Sequence, residues 1–143
     1  MKHLKKIFLS TITTLLLVFS LVVTSTASVS PRYNNVYSAS SAVSISDSGL
    51  LTISNRYSSN PDTFTKASII TFVEKRVLGL FWVDVDIGEA DNKWIDTIYN
   101  YSYTGYHSVQ LSSTGKYRVT VEYTIYGSGG SADVIPYEIE KNY

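Results

Sequence analysis

Few residues of this 143-residue chain have the types and spacing that chemistry needs. Of its two histidines, His3 lies in the N-terminal leader-like stretch and His107 in an alternating, strand-like run. Serines and aspartates are plentiful, so counting alone leaves a Ser-His-Asp set open. No glycine pattern of a nucleophile elbow surrounds any serine, however. A lone strand histidine is more often a surface or core residue than a base, and the expectation is a protein without catalytic residues. The chain has no cysteine, which removes disulfides, thiolate nucleophiles and thiolate metal sites together.

The one dense carboxylate cluster is "DVDIGEADN", with Asp84 and Asp86 on one strand face and Glu89 and Asp91 in the loop that follows. Calcium takes about six to eight oxygens, commonly from such spacings. The segment lacks the third acid and the later glutamate of an EF-hand, and charged residues at a strand end also blunt an edge. No cofactor is called for; calcium is the one ion these four residues could hold.

Tyrosine is the unusual feature of the composition, with twelve, all beyond residue 27. In "YNYSYTGY", Tyr99, Tyr101 and Tyr103 alternate and Tyr106 follows, a row about 13 Å long at the rise of a strand. Exposed, the four would make an amphipathic surface for a sugar or a protein. Asn100, Ser102 and Thr104 between them are polar, so alternation favours an inward, core-facing row.

These segments need strands to carry them, and the rest of the chain supplies strands. "MKHLKK", the apolar run Ile7–Val23 and the small residues Ser25 and Ala27 form a secretory signal peptide, with cleavage expected after Ala27. The rival reading is an uncleaved anchor, but the run is at the lower edge of a membrane span and is interrupted by Ser and Thr. The expected product, Ser28–Tyr143, is a single domain of 116 residues with nine basic residues against twelve acids, a formal charge of −3. That balance offers no footprint for nucleic acid and disfavours anionic membranes after cleavage. The expected location is extracellular, as a monomer.

Short alternating runs separated by turn residues predict an all-β sandwich of seven or eight strands. Expected strands cover Val36–Ser46, Leu50–Tyr57, Lys66–Arg76, Leu80–Ile87, Trp94–Leu111 (bent or broken near Gly105), Lys116–Tyr126 and Asp133–Tyr143. Lys66–Arg76 is apolar on both parities and should be central. Pro136 should lie on an edge or at a bulge.

The motif Leu111-x-x-x-Gly115-x-Tyr117-x-Val119-x-Val121 resembles the tyrosine corner of immunoglobulin-like sandwiches. The resemblance implies that the Tyr117 hydroxyl bonds upstream backbone, with Gly115 shaping the approach. It also places Val119 and Ile53 where antibody domains carry their disulfide, and leaves the usual core tryptophan without a counterpart in Trp82. Signal included, the chain resembles small secreted proteins of Gram-positive bacteria, a likeness that brings no activity with it. The functional expectation is non-catalytic binding outside the cell, to wall glycan, matrix or a protein. The alternatives are a secreted antagonist acting through "SSNPDT" or "GSGGS", and a small hydrolase using His107.

Overall fold

Alternation along β2 (Leu50–Ser59) and β7 (Lys116–Gly127) sets the architecture. Leu51, Ile53, Asn55 and Tyr57 point inward from β2, and Tyr117, Val119, Val121, Tyr123 and Ile125 from β7, while the residues between them face outward. The computed structural model describes residues 33–143, so the signal peptide assigned to residues 1–27 lies outside the described residues. The other strands are β1 (Val36–Ile45), β3 (Phe64–Val77), β4 (Phe81–Asp84), β5 (Trp94–Ile98), β6 (Ser102–Gln110) and β8 (Asp133–Asn142).

Among the described residues, eight strands form two antiparallel sheets. One has the order β1-β2-β6; the other has β4-β3-β7-β8, with β5 also paired to β3. β3 is central, as its two-sided apolar pattern predicts: β7 lies on one side, and β4 and β5 share the other. β8 is an edge, which lets Pro136 sit opposite Glu122 without depriving a further strand of a donor. This two-sheet antiparallel sandwich is compatible with the immunoglobulin-like fold. Ile53 and Val119 are both buried, one in each sheet.

The Tyr117 hydroxyl donates to the Ser113 carbonyl at 2.5 Å, the bond that the tyrosine-corner resemblance implies. Gly115 exchanges both backbone bonds with Tyr143, tying the start of β7 to the chain's last residue. The expected break near Gly105 falls instead at Tyr99–Tyr101, and Gly105 lies inside a continuous β6. A Cβ at Gly105 would come within 1.9 Å of the Tyr103 hydroxyl, so the glycine is the bed on which that phenol lies along the strand. The expected strand Leu80–Ile87 is cut to Phe81–Asp84, and its apolar residues Phe81 and Val83 are exposed, while Trp82 is half-buried.

Two buried polar arrangements hold the sandwich together. Asn55 donates to Thr71 Oγ1 at 3.0 Å across the sheets and accepts from Ser41 Oγ at 2.9 Å. Tyr123 shares its single proton between the Ser40 carbonyl and Ser41 Oγ, and accepts the Arg56 N–H. At one end, the Asp133 carboxylate accepts the backbone N–H groups of Asn34, Asn35 and Val36 at 3.0, 2.7 and 3.0 Å. These bonds moor the start of β1 to β8.

Candidate binding surface

β5 and β6 are each the last strand on their side of their own sheet, and the chain crosses between the sheets through Tyr99–Tyr101. The backbone of the crossing is fixed: Tyr57 Oη donates to the Asn100 carbonyl at 2.6 Å, and the Ser59 N–H donates to the Tyr101 carbonyl at 2.8 Å. The side chains of the crossing are not used by the fold. Tyr99 is 74% exposed, Tyr101 53% and, on the outer face of β6, Tyr106 66%. The inward row that alternation favours is therefore not formed, because strand geometry lapses at residues 99–101 and the parity is lost. Tyr103 alone turns inward, half-buried, with its ring 6.0 Å from that of Tyr57. Burial pushes the Tyr103 phenol above its ordinary range, and the Asp96 charge adds to this. The Tyr57 phenol is raised as well, by burial first and then by Tyr103.

Where β5 meets β6 lies a cleft of about 310 Å³ lined by Glu89, Lys93, Trp94, Ile95, Asp96 and His107, none of the four tyrosines among its walls. The His107 ring stacks on Trp94, 4.8 Å between centroids and 10° from parallel, and its Nε2 is 2.7 Å from Asp96 Oδ2. Trp94 and Asp96 share one parity on β5, and His107 faces them from β6, so this contact spans the two sheets. An imidazole held by a carboxylate can hold or pass a proton, and the carboxylate, ammonium and imidazole groups can bond hydroxyls. No serine, threonine or cysteine lines the cleft. The sequence reading missed the His107–Asp96 pair. Its residues are eleven apart on strands of different sheets, and only the alternation of Trp94 and Asp96 hinted at a shared face.

The carboxylates of "DVDIGEADN" are distributed rather than gathered. Asp84 and Asp86 line a separate cleft with Tyr117 and Lys75, and Asp86 Oδ1 accepts the Gly88 N–H at 2.9 Å. Glu89 borders the His107 cleft, and Asp91 lies in the 3-10 turn Ala90–Asn92. Among the described residues, no three His, Cys, Asp or Glu side chains are grouped to hold a metal ion. The loops "SSNPDT" and "GSGGS" meet at the end moored by Asp133. Ser128 N–H donates there to the Thr63 carbonyl at 2.8 Å, and Gly129 N–H to Asn35 Oδ1 at 3.2 Å.

No protein-family model matches this chain, and neither a curated protein nor a solved structure matches it.

Proposed function

We propose that the protein is exported and acts outside the cell as a non-catalytic binding module, with the β5–β6 side as its contact surface and a wall or matrix glycan as its ligand class. The observation that carries this reading is the exposure of Tyr99, Tyr101 and Tyr106 in a sandwich whose core closes without them. The polar cleft where β5 meets β6 adds hydrogen-bonding groups on the same pair of strands. Aromatic faces take the apolar C–H faces of sugar rings. Asp96, His107, Lys93 and Glu89 supply donors and acceptors for hydroxyls at the rim. A protein ligand would use the same tyrosines, since amphipathic aromatics are enriched at interfaces.

Pelleting of Ser28–Tyr143 with isolated Gram-positive cell walls tests this reading, with and without EDTA. Binding that survives EDTA is expected, because the tyrosines and the cleft need no metal. Protein that stays in the supernatant under both conditions removes wall glycan as the ligand. Binding that EDTA abolishes would transfer the site to the carboxylates of Asp84, Asp86, Glu89 and Asp91.

A further inference from the structure

The hairpin joining β3 to β4 is built against local preference. Leu80 N–H donates to the Val77 carbonyl at 3.1 Å, closing a turn whose central residues, Leu78 and Gly79, have φ of 53° and 68°. Two successive positive φ values are those of a type I′ turn, for which Asn-Gly is the favoured pair. A leucine there is strained by its Cβ against the backbone. Nothing in the fold compensates: Leu78 is 84% exposed, Leu80 74% and Phe81 61%. Strain kept at an exposed apolar residue points to use outside the chain.

The hairpin is layered from its tip. Leu78 and Leu80 flank Gly79, and Val77 pairs with Phe81 in the next rung. Arg76 and Trp82 make the rung below, followed by Lys75 and Val83, and the first carboxylates are Glu74 and Asp84. At the rise of a strand the apolar tier occupies the first ~7 Å, and the carboxylates begin about 13 Å down. Arg76 Nε donates to the Gly79 carbonyl at 2.9 Å, so both the Val77 and Gly79 carbonyls of the turn are satisfied within the hairpin. Arg76 forms no ion pair among the described residues. The Arg118 guanidinium stacks over Trp82 at 4.3 Å.

We infer that this hairpin docks on the surface of an anionic phospholipid bilayer, with Leu78, Leu80 and Phe81 among the acyl chains and Arg76 and Lys75 at the phosphates. An apolar tip whose Val77 and Gly79 carbonyls are bonded, then a rung that pairs Trp82 with Arg76, then Lys75, follows the order that a bilayer presents from its interior outward. Apolar faces of interfacial segments lie about 5–10 Å deep, a range that holds the ~7 Å apolar tier and stops short of the carboxylates. The net charge of −3 that disfavours membrane binding is an average over the expected product. Beyond a Debye length of about 8 Å it is screened, whereas the two hairpin cations act at contact.

The test is flotation of Ser28–Tyr143 with vesicles of phosphatidylcholine alone and with added phosphatidylglycerol. Among the described residues, the buried core lies between Val36 and Ile135, so this segment keeps it and omits the apolar run Ile7–Val23, which would itself partition into lipid. Wild type is expected to float with the anionic vesicles and to be released by added salt. Leu78→Asn is expected to lower partitioning roughly ten- to hundredfold, the worth of one buried leucine. The same variant should raise the Tm, because asparagine accepts the left-handed conformation. Leu80→Ser repeats the partitioning test where φ is not at issue. Wild type that stays unbound, or floats equally with both vesicle types, overturns the inference, and so do variants that partition like wild type. An unbound wild type would assign the apolar tip to a protein contact instead.

Discussion

Replacing Asp133 by alanine removes the acceptor for three backbone N–H groups at the start of β1. Asn34 is exposed, so its N–H turns to water at little cost. Asn35 is 0% exposed and Val36 6%, and both donate to the same carboxylate oxygen. The Asn35 carbonyl accepts from Ser59 Oγ and from the Asn60 N–H, so this segment cannot swing out to hydrate itself without breaking further bonds. Each buried donor left unpaired costs about 1–3 kcal/mol, which puts the variant about 4 kcal/mol below wild type. Against a total stability of about 5–15 kcal/mol that is a large fraction. It corresponds to a fall in Tm of about 16 °C for a domain of this size. Asp133→Asn keeps one oxygen for Asn35 and Val36 and turns its amide toward the hydrated Asn34, so its loss should be about half as large. Urea denaturation of wild type and both variants, followed by tryptophan fluorescence, measures the ranking. An alanine variant within about 1 kcal/mol of wild type would refute the reasoning, as would an asparagine variant as damaged as the alanine one.

Tyr117→Phe deletes the bond to the Ser113 carbonyl, which is exposed enough to take water instead; a loss of about 0.5–1.5 kcal/mol is expected in the same assay, and none would remove the corner's role. Gly105→Ala puts a methyl where the Tyr103 phenol lies, so a loss of about 1–3 kcal/mol is expected, with ring-current shifts at Tyr57 in NMR spectra. Burial raises the phenols of Tyr57, Tyr103 and Tyr123 above the ordinary 10.0. The unfolded chain therefore loses these protons first: the stability they contribute is intact below pH 10, declines as pH rises past that value, and is fully lost only above the raised folded values. Denaturation midpoints that stay flat from pH 9 to about 12 would contradict this.

The fold was legible because its signals are local. Period-two alternation at Leu51, Ile53 and Tyr57 and along Tyr117–Ile125 describes half-buried strands, and Gly115-x-Tyr117 carries its own hydrogen-bond logic. The candidate surface was legible only in composition. Four tyrosines in eight residues were visible, but their directions depended on where the strand stops. That point is set by the crossing between sheets, which the Tyr57 and Ser59 bonds hold and which no local pattern announces. The His107–Asp96 pair and the Asn55–Thr71 bond join different sheets and exist only once the sheets are stacked. On β4 the alternation was read correctly. Phe81 and Val83 share a face, but they extend the core side of their sheet toward an open cleft that Val83 lines with Gln110 and Ser112, so the pattern did not mean burial.

The most direct test of the proposed binding surface is a titration of wall polysaccharide with Ser28–Tyr143 and with its Tyr99→Ala/Tyr106→Ala variant, with the Tm of each recorded alongside. Both side chains lie outside the core, so the account predicts an unchanged Tm and an affinity lower by about tenfold or more. Equal affinities for the two proteins would contradict it.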